Sequence, residues 1–270
     1  MLFLENPRLK VHVLDPVADR ARLGTRYCTA GFVFQIEDLE RGQAALLSGP
    51  TYPETYNVFD GQGIPDAFQP ALGADRGGTA LGIGVGLVDT KAGMVLEFAS
   101  WHIEPREGVL AFSTRQSHED WAFDLHRTLT LTGRTLRVDT RIANTGKRLI
   151  PFQWYPHPFW PVNPAGECCR FSVPVTVPEN PGYDLLPDGF LRTKAGVANG
   201  GGFLWVGSAA DQRVEILQRH PLLGLVAAWT DYAPAKLPVW GNARTFSFEP
   251  YLERVASVGT ETRWSISYAL

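Results

Sequence analysis

Between Leu129 and Ile142 the chain alternates apolar and polar residues on both sides of a two-residue turn, and this pattern restricts it to antiparallel β structure. Leu129 and Leu131 alternate with Thr128, Thr130 and Thr132. Gly133-Arg134 supplies the turn. Beyond it, Leu136, Val138, Thr140 and Ile142 fall on one face, and Arg137, Asp139 and Arg141 on the other. A helix would scatter these side chains around its axis, whereas a strand collects every second one on a single face. A connection this short joins antiparallel neighbours; parallel strands need a long crossover. Asn144-Thr145-Gly146 then supplies the next turn.

The same period recurs at the C-terminus. Trp264, Ile266, Tyr268 and Leu270 share one face, opposite Ser265, Ser267 and Ala269. Over Arg244 to Glu249, Phe246 and Phe248 point one way and Thr245, Ser247 and Glu249 the other. Further strands are predicted at 32–36, 82–88, 95–98, 109–115, 171–175, 203–207, 213–217 and 225–229. The one helix-like stretch, Val17 to Leu23, is short, and dispersed Gly and Pro leave little room for others. Many short strands separated by turns make an all-β chain, a large antiparallel β-sandwich. No Ser/Gly-rich linker or internal repeat divides it, so residues 1–270 are expected to form a single domain. All-β units of this length are common, and 270 residues can bury a large core without disulfides or structural metal. Leu47 to Leu72, rich in Pro, Gly and Tyr, is expected to be a long surface loop.

Several function classes are excluded. The net charge is −3 with no basic stripe, so nucleic-acid binding is not expected. The three cysteines, Cys28 and the adjacent Cys168 and Cys169, do not suggest a disulfide framework. With no visible signal peptide and no apolar run long enough to cross a bilayer, a cytoplasmic protein without membrane partners is expected. Gly82-Ile83-Gly84-Val85-Gly86 lacks the final spacing of a dinucleotide fingerprint and reads as a glycine-containing buried strand. There is no Gly-x-Ser-x-Gly elbow. Adjacent cysteines lack zinc-ligand spacing, so no metal site is expected. His102 and Glu104, two apart on one strand face, read as a surface hydrogen-bonding pair.

Two segments concentrate chemistry. In Pro151-Phe152-Gln153-Trp154-Tyr155-Pro156-His157-Pro158-Phe159-Trp160, a His between prolines sits on a stiff bend rather than in a helix or central strand. A rigid imidazole among Trp154, Tyr155, Phe159 and Trp160 suits a polar ligand with apolar faces, such as a sugar. It equally suits a His capping a buried aromatic cluster, and the residues alone leave both open. In the second segment Glu249 ends a strand just before Pro250. A carboxylate there is held by rigid backbone and can open to a cleft, although most glutamates in such places are plain surface residues.

Taken together and in this order, the segments resemble the aldose 1-epimerase (galactose mutarotase-like) family. The resemblance runs through Leu129-Thr130-Leu131, Leu136-Arg137-Val138, Asn144-Thr145-Gly146 and His157-Pro158-Phe159. Glu249-Pro250 is similar to the late Glu of the family, especially its hexose-6-phosphate epimerase-like branch. Gly24-Thr25-Arg26-Tyr27, followed by Gly31-Phe32-Val33, resembles the early strand where the family places an Arg. The family's further His has only His102, His118 and His126 as candidates. Gly182-Tyr183-Asp184 looks like the family's hydroxyl-binding Asp but stands out of order with the turn beside it.

The resemblance implies a galactose-mutarotase-like sandwich that interconverts the α- and β-anomers of a hexose or hexose phosphate without a cofactor. The alternative is a non-catalytic carbohydrate-binding protein of the same fold. In the enzyme, Glu249 is the base and His157 the acid, on opposite sides of the anomeric centre. Arg26 donates to hydroxyls or phosphate. Arg76 and Arg115 are further candidates for the pocket, and Gln116, Trp154 and Trp160 are candidates to line it. The expected partner is a small-molecule sugar, and the expected state a monomer or homodimer.

Overall fold

The structure, a computed structural model, describes residues 1–48, 62–197, 200–208 and 211–270. Among these residues every paired strand runs antiparallel to its neighbour, and no α-helix forms. The helix-like stretch near the start contributes only the 3-10 turn Arg20–Arg22. Among the described residues no helix is long and apolar enough to cross a membrane.

One layer is an eight-stranded sheet. Its order is Cys169–Phe171, Glu215–His220, Gly224–Thr230, Glu261–Ala269, Thr135–Asn144, Trp121–Thr132, Val109–His118 and His102–Arg106. At its centre is the hairpin expected from the alternation. Thr132 faces Thr135 across Gly133-Arg134, with Gly133 at φ +58°, a conformation glycine reaches without steric cost. The inward stripes are apolar: Leu110 and Phe112, then Phe123, Leu125 and Leu129, then Leu136, Val138 and Ile142, then Trp264, Ile266 and Tyr268. Arg127 interrupts the second stripe. It is buried and paired through both terminal nitrogens with buried Asp66. A buried charge is tolerable only with such a partner.

Smaller sheets form the opposing layer. One comprises Leu252–Ala256, Ile150–Pro156 and Asp66–Gln69; another comprises Trp160–Pro161, Thr245–Phe248, Leu237–Gly241 and Gly202–Val206. Their inward residues meet the large sheet through aromatic contacts. Phe152 and Trp154 lie with ring centroids 5.4 and 5.6 Å from Trp264, and Trp160 lies 6.3 Å from Tyr268. Since strand neighbours point oppositely, burying Phe152 and Trp154 between the layers turns Tyr155 and, beyond it, His157 to the far side. There a second apolar cluster forms from Leu14, Leu23, Tyr27, Phe32, Ala67, Tyr155 and Tyr251.

Three local expectations are corrected. Residues 82–88 do not form one strand. Thr79–Gly82 and Gly86–Asp89 pair as a hairpin that turns at Ile83-Gly84-Val85. Gly84 sits at φ +74°, and a Cβ there would lie 2.4 Å from Cys28 Sγ. Only glycine fits at this turn, because Cys28 and Leu125 of the large sheet leave no space for a side chain. Of the expected loop at 47–72, residues 49–61 lie outside the described residues, and its later part contains the buried strand Asp66–Gln69. The strand expected at 171–175 lies earlier, at Cys169–Phe171.

Candidate active site

His157 follows directly on the strand Ile150–Pro156, and Glu249 follows on Thr245–Phe248. Two backbone bonds fix the first: His157 N–H donates to Pro65 O at 2.8 Å, and Phe159 N–H donates to Gly63 O at 2.8 Å. The second is fixed by Glu249 N–H donating to Pro238 O at 2.9 Å. These anchors bring the imidazole and the carboxyl together: Nε2 of His157 lies 3.3 Å from Oε1 of Glu249. Both residues are almost wholly buried, at 0% and 3% exposure.

Aromatic rings enclose the pair. Phe159 stacks on the imidazole at 4.3 Å, while Trp240 and Tyr27 meet it edge-on at 5.9 and 6.2 Å. The Tyr251 hydroxyl lies 3.5 Å from Glu249 Oε2. Tyr155 stacks on Tyr251 at 4.3 Å, and Gln69 donates to its hydroxyl at 3.1 Å. Half-buried Arg26 reaches the same cluster: it bonds Tyr155, and its charge acts on both His157 and Glu249.

Burial decides the protonation of the pair. It pushes the Glu249 carboxyl up to about 8, against the smaller opposing pulls of the Arg26 charge and the Tyr251 hydroxyl. Burial, assisted by Arg26, also holds the His157 imidazolium well below its ordinary value. At neutral pH the carboxyl is therefore protonated and the imidazole beside it neutral, so the pair carries a single proton. Without ligand, this is the reverse of the charge assignment expected from the sequence. The distance also differs from expectation, because the two groups touch instead of facing each other across a cavity one sugar wide.

No protein-family model matches the sequence, and no curated protein matches it. Solved structures do match its fold. A galactose mutarotase-like protein from Lactobacillus casei ATCC 334 aligns over 100% of this chain and 99% of its own, with a TM-score of 0.59 at 13% identity. A galactose mutarotase-like protein from Clostridium acetobutylicum covers 98% of this chain and 93% of its own, with a TM-score of 0.55 at 11% identity. The GalM/aldose epimerase homologue from C. elegans covers 99% and 98%, with a TM-score of 0.54 at 10% identity.

The fold is galactose mutarotase-like.

Within this galactose mutarotase-like sandwich, Arg26 lies near enough to His157 and Glu249 for its charge to act on both, and the other five candidates lie elsewhere. Arg76 pairs with Glu119 and rests over Trp121, 5.0 Å from its ring centroid. Arg115 is exposed on the outer face of the large sheet, bonded to Asp124 at 2.7 Å. Gln116 is buried and clamps the glycine hairpin, accepting from Gly84 N–H at 2.8 Å and donating to Gly82 O at 3.1 Å. Trp154 and Trp160 belong to the core between the layers. His102 is exposed and forms its expected pair with Glu104 at 3.1 Å. Tyr155 was expected among the aromatic residues around His157, whereas Tyr27, Trp240 and Tyr251 were given no place in the site from the sequence. Tyr251 stands two residues from Glu249, so strand periodicity could have found it.

Proposed function

We propose that this chain is an aldose 1-epimerase-like enzyme that interconverts the α- and β-anomers of a hexose or hexose phosphate by acid–base ring opening. The observation that carries the reading is the buried 3.3 Å contact between His157 Nε2 and Glu249 Oε1. Mutarotation needs one group to take the proton from the anomeric hydroxyl and another to protonate the ring oxygen. Both oxygens are borne by the same carbon, so an acid and a base in contact can address them from one side without straddling the ring. As the C–O bond to the ring oxygen breaks, the anomeric carbon becomes an aldehyde. Rotation about the adjacent C–C bond presents its other face, and the reverse proton movements close the ring.

A pair that carries one proton suits this cycle: on opening the base takes the anomeric proton while the acid gives its own to the ring oxygen, and closure reverses both transfers and restores the pair. In the assignment expected from the family, Glu249 is the base and His157 the acid. Substrate hydroxyls that hydrogen-bond the pair favour that charged form, since burial alone opposes it. Arg26 donates to a hydroxyl or phosphate oxygen of the sugar and stabilises the carboxylate. Tyr27, Phe159 and Trp240 present apolar surface to the sugar ring.

Anomer exchange by NMR, with purified protein and a panel of free and 6-phosphorylated aldoses, tests the reading. Acceleration over buffer that disappears in both His157→Ala and Glu249→Ala supports it. Binding without acceleration in the native protein leaves a carbohydrate-binding protein instead.

A further inference from the structure

The strand that leads to His157 begins beside a second cavity, remote from the acid–base pair. Pro151, near the start of Ile150–Pro156, lines a hollow of about 560 Å³. Extended chain from Pro151 to His157 spans roughly 20 Å, so the hollow is separate from the aromatic rings around the imidazole. Its lining is apolar. Leu72 and Trp121 are buried, and Pro70, Ala74, Leu149 and Pro151 complete the walls. Only Arg148 and Asp75 bring charge to it.

The walls are fixed by the fold. Trp121 Nε1–H donates to Leu149 O at 3.3 Å, and Asn144 Nδ2 donates to Arg148 O at 2.8 Å. Lys147 N–H donates to Asp120 O at 2.8 Å, so residues 147–149 are held beside the start of the strand Trp121–Thr132. Leu72 exchanges backbone bonds with Leu81 at 2.8 and 2.9 Å. Gly73, at φ +87°, approaches the indole so closely that a Cβ there would lie 3.1 Å from it.

The two arginines on this indole differ in how their charge is met. Arg76 is neutralised by Glu119. Arg148 lies nearer the ring, with Cζ 4.6 Å from its centroid, and it is exposed and forms no ion pair among the described residues. The indole orients the planar guanidinium, which leaves its N–H fork available to a carboxylate. Asp75, the one acid in the lining, is exposed and turns an anionic head away from itself. A preformed apolar hollow with one oriented cation on its wall fits a ligand that is greasy at one end and anionic at the other.

We propose that this cavity binds a small monocarboxylate with an apolar body, its head on Arg148 and its body against Trp121, Leu149 and the two prolines. The site lies outside the proposed ring-opening chemistry and does not depend on it.

Calorimetry on the full chain tests this with octanoate and cinnamate, each against its neutral amide. At least one carboxylate is expected to bind, about ten-fold more tightly than its amide. Arg148→Met keeps an apolar stem over Trp121 and should erase that preference while leaving the amide's affinity unchanged. Leu149→Asp, at an exposed position, sets a like charge on the wall and should abolish carboxylate binding. Both substitutions are at the surface, and circular dichroism checks that the fold is kept. His157→Ala should bind the carboxylate as the native chain does. Equal affinity for acid and amide, or a preference that survives in Arg148→Met, overturns the proposal. So does binding that persists in Leu149→Asp, binding lost in His157→Ala, or failure of both carboxylates to bind the native chain.

Discussion

Tyr155 and Tyr251 lie face to face, their ring centroids 4.3 Å apart and their planes within 9° of parallel. Tyr155 stands two residues before His157 and Tyr251 two residues after Glu249, so the stacked rings clamp together the two chain segments that carry the acid–base pair. These segments run antiparallel and pair on both sides of the site, Trp154 with Leu252 and Trp160 with Phe246. That register, continued between them, sets Tyr155 opposite Tyr251 and His157 opposite Glu249.

Loss of that clamp is expected to loosen the pair without unfolding the chain. Tyr251→Ala should lower the anomer-exchange rate by about ten-fold or more, in line with the roughly 0.5–1.5 kcal/mol of a stacked aromatic pair plus its lost burial. Tyr251→Phe keeps the stack and removes only the hydroxyl near Glu249, so it should retain most activity. Rate measurements on the two variants separate packing from hydrogen bonding. Equal losses in both would show that the hydroxyl, not the ring, matters.

The pH dependence of the rate follows from the single proton on the pair. Glu249 keeps its proton up to about pH 8, and His157 gains a second only well below its ordinary range. The kcat/KM profile of the free enzyme should therefore be flat through neutrality and fall above about pH 8. Arg26 lowers the values of both groups. Arg26→Met should move the alkaline limb to higher pH as well as reduce kcat/KM. An alkaline limb that stays put in Arg26→Met would remove Arg26 from the electrostatics of the site.

Stability should carry the same signature. An unfolded Glu ionises near its ordinary value of 4.5, whereas folded Glu249 holds its proton up to about 8. Between those values the folded state binds more protons, so stability from this group falls as pH rises, and it levels off above about 8. The full penalty is at most roughly 5 kcal/mol, at about 1.4 kcal/mol per tenfold. Glu249→Gln mimics the protonated form and removes the penalty. Its melting temperature should match the native protein near pH 4.5 and exceed it increasingly toward pH 8. A constant difference over that range would show that Glu249 is ionised in the fold.

The buried Arg127–Asp66 pair should behave as a unit. Asp66 sits in the ladder opposite Pro156, and its carbonyl accepts from Cys28 N–H at 2.8 Å. The pair therefore ties the large sheet to the two chain segments, 26–28 and 155–157, that supply the site. Arg127→Met or Asp66→Asn alone leaves an uncompensated buried group and should cost about 3–5 kcal/mol. Arg127→Met with Asp66→Leu should recover much of that loss. Denaturant titration of the three variants gives the coupling energy, and simple additivity would contradict a direct pairing.

The sequence by itself determined the layer architecture and the strand faces near the site. Alternation at 128–142, 245–249 and 264–270 is a local property, and burial enforces it because a one-residue slip would turn each apolar stripe toward water. It also held His157 and Glu249 at strand ends, where proline and backbone fix them. It did not separate the aromatic residues around His157. Trp154 and Tyr155 are neighbours in the chain, yet one packs between the layers and the other beside the imidazole. Nor could it assign Arg76, Arg115 and Gln116, whose partners Glu119, Asp124 and Gly84 were fixed only by how strands and turns came together. The tertiary structure alone decided that His157 and Glu249 touch and that both are neutral. Contact depends on the antiparallel pairing of two segments remote in the chain, and charge depends on exclusion of water, and neither is encoded in a local pattern of residues.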